Sequence, residues 1–221
     1  MPMFWPVQRK GKVFVVSPKP GPHTKANCIP LHVLLRDYLS LAQNTKEVKK
    51  ILNAESVLVD KKVRKNHTFP TGLMDVIELP AMKQYFRVFI NKRGLTLNEI
   101  KEEETKTKQC RIQGKRTVKG GKEALTLHDG RTILSNKKTS YNVGDTLTIS
   151  LPDQKIQNHI KLETGSQAII FAGRNKGTIG TIKTVKNRDN ALVRSTIIIE
   201  TKKGVIETPK EYVMAGSFSK T

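Results

Sequence analysis

Apolar positions first fall into a helical rhythm in "PLHVLLRDYLSLA", where Leu31, Leu34, Leu35, Tyr38, Leu39 and Ala42 recur three and four residues apart. Side chains at those intervals share one face, so the spacing predicts a helix opened by Pro30, whose ring suits a first turn. Asn44 comes next, with Glu47 three positions on, the pairing of a capping box. It predicts a second, short helix with Val48, Ile51 and Leu52 on its apolar face and Lys46, Lys49 and Lys50 mostly off it. A helix this short needs tertiary packing to persist.

Beyond residue 55 the period drops to two. Val57 and Val59 alternate with polar neighbours, Lys61-Lys62 turns the chain, and Val63 returns. Pro70 and Gly72 break the pattern, and Met74, Val76 and Ile77 begin another strand. "YFRVFIN", "LTLNEI", "KQCRIQGKRTV", "EALTLHDGRTI", "VGDTLTISL" and "KIQNHIKL" carry further short alternations. Asp129-Gly130 marks a hairpin, and "EEE" at 102–104 reads as a solvated turn. The last third repeats this style in "SQAIIFAG", "NALVRSTIIIET" and "VIETPKEYVMAG", which suits a compact barrel.

Residues 1–28 differ from both patterns. Pro2, Pro6, Pro18, Pro20 and Pro22 exclude a long helix, although "KVFVV" at 12–16 has the makings of one short strand. Arg9, Lys10, Lys12, Lys19 and Lys25 make this arm basic, and Trp5 and Phe4 are placed to stack or to pack. An arm of this kind is expected to order itself on binding. The stretch "AGRNKGTIGTIKTVK" at 172–186 has glycines at 173, 177 and 180. It matches neither G-x-G-x-x-G nor G-x-x-x-x-G-K-[ST], and both of those motifs lead into a helix. The residues after Gly177 are instead rich in β-branched side chains and predict a strand, with a bulge near Gly180 to reconcile Ile179, Ile182 and Val185 with one face.

Charge then narrows the partners. The chain of 221 residues carries 40 Lys+Arg against 19 Asp+Glu, a formal net charge of +21. Residues 1–104, 105–165 and 166–221 are each in basic excess, so a polyanion is expected along the whole molecule. Cys28 and Cys110 lie far apart, and His23, His32, His67, His128 and His159 are scattered, so no metal site, catalytic constellation or cofactor is expected. No stretch approaches the roughly 20 apolar residues of a membrane span, and a cytoplasmic location is expected.

Helix, helix, then a hairpin carrying Lys61, Lys62, Arg64 and Lys65 resembles the S-four-type RNA-binding domain over residues 29–79. Gly173, Gly177, Gly180 and Ile182 resemble the KOW motif of SH3-like barrels, with Arg174, Asn175 and Lys176 in its exposed loop. In order, "SPKPGPHTKANCIPLHVLLRDYLSLA", "NTKEVKKILNAESVLVD", "FPTGLMDVIEL" and the KOW unit are similar to the archaeal and eukaryotic small-subunit ribosomal proteins of the S-four-e family, with an archaeal character. The resemblance implies an α+β chain of four parts: a basic arm (1–28), an S-four-like domain (29–79), a central β domain (80–165) and a KOW barrel (166–221).

It further implies small-subunit ribosomal RNA and neighbouring small-subunit ribosomal proteins as partners, with no enzymatic activity, small-molecule substrate or membrane. The RNA-facing residues expected are Trp5, Arg9, Lys10, Lys12, Lys19, His23 and Lys25 in the arm. Arg36, Lys46, Lys49, Lys50, Lys61, Lys62, Arg64 and Lys65 are expected in the second part, and Arg174, Asn175 and Lys176 in the barrel. Two departures from the family pattern bear on this. The chain begins close to its "FWP" element, where the family usually has a longer basic extension, so some arm contacts are expected to be missing. The hairpin turn is Asp60-Lys61 where the family commonly has Asp-Gly, which predicts a turn that avoids positive φ. The competing readings are an RNA-modifying enzyme with an S-four-type targeting module, for which no catalytic motif is present, and a KOW-type transcription elongation factor, which the 29–79 segment disfavours.

Overall fold

The helical rhythm of the first segment outlasts its helix. In the computed structural model, which describes residues 2–8, 10–11, 14–135, 141–188, 190, 194–201 and 204–218, strand β1 (Cys28–Pro30) leads into α1 (Leu31–Val33). The helix continues as a π-helical turn over Leu34–Tyr38. The pattern runs on to Ala42, but Ser40 takes a φ of 53° and turns the chain. Leu41 N then donates to Leu35 O at 2.9 Å, and Ala42 is buried beyond the bend.

Helix α2 (Thr45–Asn53) forms where its capping signal places it. Asn44 Oδ1 accepts from Glu47 N at 3.0 Å. The Glu47 carboxylate reaches past the cap residue and accepts from Gln43 N at 2.7 Å. Val48 and Leu52 bury the apolar face.

The described residues are mostly β with few helices, and they pack as two units. The first comprises Met1–Phe89, Arg93–Lys108 and Ser150–Asp153. Its strands after α2 are β2 (Leu58–Val59), β3 (Lys62–Val63), β4 (Pro70–Gly72), β5 (Val76–Leu79), β6 (Gln84–Asn91) up to Phe89, and β7 (Gly94–Glu99). β4 pairs antiparallel with β1, and the others form a sheet of order β3-β2-β5-β6-β7. The acidic run at 102–104 is exposed on a 3-10 turn, Glu102–Lys106. Phe14, Val15 and Val16 form no strand, and Lys12 and Val13 of that expected strand lie outside the described residues.

The β2–β3 turn corrects one expectation. Asp60 and Lys61 both have positive φ, 51° and 64°, as in a type I′ connection, although neither is glycine. Long-range bonds hold them there. Asp60 N donates to Val76 O at 2.8 Å, and Asp60 Oδ1 accepts from Val76 N at 3.0 Å. Lys61 Nζ donates to Glu78 Oε2 and to Thr105 Oγ1, each at 2.8 Å.

Beneath this turn lies Lys108, with its side chain fully buried. Its ammonium donates to Asp60 Oδ2 at 2.8 Å and to Asp75 Oδ1 at 2.6 Å. Asp75 also accepts from Gly72 N at 2.9 Å and pairs with His23 Nε2 at 3.1 Å. Burial pushes the Asp60 carboxyl up, and the Asp75 charge adds to that push. Burial opposes ionisation of Asp75 too, but Lys108 and His23 outweigh it and hold this carboxyl well below the usual carboxylate range.

The second unit comprises Ile90–Lys92, Gln109–Ile149 and Gln154–Thr221. It contains β8 (Thr107–Thr117) from Gln109 on, β9 (Glu123–Leu127), β10 (Thr132–Ser135), β11 (Thr146–Ser150) up to Ile149, and β12 (Ile156–Ile160). These form a sheet of order β10-β9-β8-β11-β12 over Cys110, Ile112, Leu125, Leu127, Leu147 and Ile149. β13 (Gln167–Ile170), β14 (Ile179–Lys186), β15 (Thr196–Thr201), β16 (Gly204–Pro209) and β17 (Val213–Ala215) form another, ordered β16-β15-β14-β13-β17. Its core includes Ala168, Ile170, Ile182, Ile197, Ile199 and Val213. Arg111 bridges these two sheets: Nε donates to Val213 O at 3.0 Å, and the guanidinium lies 5.9 Å from the Phe171 ring centre.

Replacing Lys108 by Met leaves two buried carboxylates facing each other and is expected to cost about 3–5 kcal/mol. Asp75→Asn should cost about 3 kcal/mol, and Asp60→Asn, whose charge burial already disfavours, about 1 kcal/mol or less. Equilibrium urea unfolding at neutral pH checks this ranking. The depressed Asp75 pKa gives stability that is present above the unfolded carboxylate value and lost as pH falls toward the folded value. The raised Asp60 pKa has the opposite sign, contributing below the unfolded value and fading as pH rises through the folded one. The Asp75→Asn variant should therefore lose less stability on acidification than the native chain.

Candidate nucleic-acid interface

Helix α2 offers a clear basic face. Val48 and Leu52 point inward, which leaves Lys46, Lys49 and Lys50 exposed. Glu47, the one acidic residue of this helix, is engaged at the cap, where Oε1 also accepts from Asn44 Nδ2 at 2.6 Å. The face therefore presents ammonium groups to solvent.

The hairpin divides its four basic residues. Lys62 is exposed, whereas Lys61 is turned inward onto Glu78 and Thr105. Arg64 is half-buried, with its guanidinium carbon 4.4 Å from the Phe69 ring centre, a cation–π contact. Lys65 pairs with Glu55 at 2.7 Å, an exposed contact that a competing anion can displace. Arg36 is mostly buried and forks onto Asp37, with Nη2 donating to Oδ2 at 2.8 Å.

The arm is anchored rather than loose. Trp5 is buried and its indole N–H donates to Cys28 O at 2.8 Å. Lys19 N donates to Thr68 O at 3.1 Å. His23 pairs with Asp75, and its ring lies so close to Gly72 that a Cβ there would collide with it. Trp5 and His23, expected on the RNA-facing side, thus point into the first unit and hold the arm down. Lys10, Lys19 and Lys25 remain exposed, and Arg9 and Lys12 lie outside the described residues.

Between β13 and β14, the Gly177 amide donates to Ile170 O at 2.7 Å and closes a tight loop. Gly173 and Gly177 have φ values of 82° and 76°, and a Cβ at Gly177 would collide with the Asn91 backbone. The loop presents Arg174 and Asn175 to solvent, with Lys176 half-buried. The loop leads into a strand, as the β-branched residues predict. The bulge, however, sits between Ile182 and Thr184 rather than near Gly180. Gly180 serves close approach instead, since a Cβ there would strike the Glu200 carbonyl oxygen.

Among the described residues no group of three or more His, Cys, Asp or Glu side chains could hold a metal, and no helix is long and apolar enough to cross a membrane. The sequence reading missed His67, whose place beside Lys19 and Lys49 depends on long-range packing and carries no local signal.

Two known families match the chain. The Ribosomal family S4e covers residues 82–156, and the RS4NT (NUC023) domain covers residues 1–26. The chain is 41% identical over 214 residues to the small ribosomal subunit protein eS4 of Methanothermobacter thermautotrophicus, spanning 96% of this chain and 87% of that one. It is 43% identical over 193 residues to the same protein of Nanoarchaeum equitans, spanning 86% and 81%. The crystal structure of the 30S ribosomal protein S4e from Thermoplasma acidophilum superposes with a TM-score of 0.73 at 32% identity, covering 86% of this chain and 94% of that one.

Anchoring of the arm has a direct consequence in the free protein. The Lys19 amide should be protected from hydrogen exchange, and replacing His23 by Ala should lower that protection roughly tenfold, the equivalent of about 1.4 kcal/mol. Native-state exchange followed by NMR or mass spectrometry measures the ratio.

Proposed function

The chain belongs to the S4e family of ribosomal proteins, and on that footing we propose that it binds small-subunit ribosomal RNA as a structural constituent of an archaeal-type small ribosomal subunit. The observation that carries this reading is the 41% identity maintained over 96% of the chain to a small ribosomal subunit protein. The family is a ribosomal one and not an enzyme family. Its place is in the ribosome, in the cytoplasm, beside other small-subunit proteins.

In this reading α1, α2 and the β2–β3 hairpin form the S-four-like RNA-binding domain. The sheet β16-β15-β14-β13-β17 is the KOW barrel, with its motif loop at 173–177. The RNA-facing set is Lys10, Lys19, Lys25, Lys46, Lys49, Lys50, Lys62, Arg64, Lys65, Arg174, Asn175 and Lys176. Their exposure supports this assignment, except that Arg64 and Lys176 are half-buried. Arg64, held over the Phe69 ring, is placed to offer its guanidinium to phosphate.

The mechanism is electrostatic and geometric. Ammonium and guanidinium groups neutralise phosphates and release counterions, and folded RNA is read through its shape, backbone and 2′-hydroxyls. The chemistry asks only that cations be exposed and correctly placed. The buried bonds of Lys61, Lys108 and Arg111 leave those residues with structural roles.

Two measurements test the reading. The chain should co-sediment with small subunits in moderate salt, and recovery only in the ribosome-free fraction would refute it. Replacing Lys46 and Lys50 together by Ala should weaken binding to small-subunit ribosomal RNA and flatten its salt slope by up to about two units, one for each phosphate no longer neutralised. An unchanged slope would remove α2 from the interface.

A further inference from the structure

We propose that Lys19, Lys49 and His67 form a single site for a backbone phosphate of RNA, and that His67 takes up a proton when the phosphate enters. This rests on the RNA-binding reading above and extends it to one locus with its own chemistry.

The site is assembled from three elements of the first unit. His67 lies in the loop between β3 and β4, where its carbonyl accepts from His32 N at 2.8 Å. The two imidazoles meet edge to face, with centroids 6.2 Å apart. His32 Nε2 in turn lies 3.0 Å from Thr45 Oγ1, on the first residue of α2. Lys49 stands four residues after Thr45, one turn further along the same helix face. On the other side, the Lys19 amide bonds to the carbonyl of Thr68, the residue after His67. Asn66 stiffens the loop, with Oδ1 accepting from Thr68 N at 3.0 Å and from Thr68 Oγ1 at 2.7 Å. Arm, helix and loop therefore bring two exposed lysines within electrostatic reach of a half-buried imidazole.

The groups that face His67 are Lys19 from the arm, Lys49 from α2 and His32 from α1. The nearby acid of α2, Glu47, is engaged at the helix cap. Burial, then the charges of Lys49 and Lys19, hold the His67 pKa below the ordinary histidine value. In the free protein at neutral pH the ring is therefore largely uncharged. A phosphodiester placed among these three groups reverses the local field and favours the imidazolium. The proton comes from solvent, no other bond is made or broken, and the charged ring gains a hydrogen bond to a phosphate oxygen.

This linkage sets the direction of the pH effect. The pKa of His67 is lower in the free protein than in the complex, so affinity rises as pH falls through the bound-state value and levels off below the free-state value. The test uses the full chain and deproteinised small-subunit ribosomal RNA at constant ionic strength. Dissociation constants are measured by filter binding at about pH 7.5 and about pH 6, with folding checked by circular dichroism. The native chain should bind roughly three- to tenfold more tightly at the lower pH, within the limit of one proton per site. His67→Gln should bind within about twofold of native at the higher pH and lose that gain. Lys49→Met, which relieves the field on the free imidazole, should weaken binding and shrink the gain. Calorimetry in two buffers of different ionisation enthalpy should show proton uptake by the native chain that His67→Gln lacks. An equal pH gain in native and His67→Gln chains would overturn the proposal and leave RNA binding standing. No RNA binding by the native chain at either pH would overturn both.

Discussion

A single buried ammonium organises the first unit. Lys108 has no access to water, so its charge must be answered by protein, and Asp60 and Asp75 answer it at 2.8 and 2.6 Å. Each partner brings a segment with it. Asp60 belongs to the β2–β3 turn, and its backbone adopts a conformation that L-residues avoid because its side chain and amide are bonded to Val76 and Lys108. Asp75 fixes Gly72 by accepting a hydrogen bond from its backbone N–H and draws in His23, which carries the arm. The loss of Lys108 or Asp75 leaves an unanswered charge in a low-dielectric interior, which is why turn, sheet and arm depend on that pair, with Asp60 adding the hydrogen bonds that set the turn.

That dependence changes how the basic surface works. A disordered arm would lose chain entropy on meeting RNA, and the binding free energy would be reduced accordingly. Trp5, Lys19 and His23 tie the arm to the first unit beforehand, through Cys28, Thr68 and Asp75, so less chain entropy remains to be lost on binding. The net charge of +21 therefore mixes two populations. Lys61, Lys108 and Arg111 spend their charge on internal acceptors, and residues such as Lys46, Lys50 and Lys62 keep theirs at the surface. Composition reports the sum and cannot separate the terms.

The features legible in the sequence were the local ones. The Asn44–Glu47 cap and the strand after Gly177 arise from spacing and backbone preference over a few residues. The features that escaped it depend on distant partners. Lys61 reads as a surface lysine because its acceptors stand 17 and 44 residues away. His23 reads as an arm residue because Asp75 is 52 residues distant. The first helix has apolar spacing through Ala42, yet a left-handed Ser40 ends it, and nothing in that periodicity reports a change of backbone sign. The phase of Ile179, Ile182 and Val185 calls for a bulge but does not say which residue is extruded, and the expected place near Gly180 is not where it falls. Gly180 is instead the place of close approach to Glu200, and the extra residue falls at the exposed Lys183.

Surface cations that wait for RNA also repel one another, and that repulsion opposes compactness until a polyanion arrives. Where the repulsion is local it acts on whatever titrates nearby, and at His67 the charges of Lys49 and Lys19 add to the effect of burial. The same two ammonium groups that attract a phosphate therefore suppress the imidazole charge in its absence. A third lysine there would attract equally in both states and would add to the repulsion in the free protein. A histidine adds positive charge chiefly when the anion is present to balance it, so the free fold carries less of the electrostatic cost. Binding and stability are then linked through one field: the phosphate that removes the repulsion between Lys19 and Lys49 also stabilises the arm and helix that hold them.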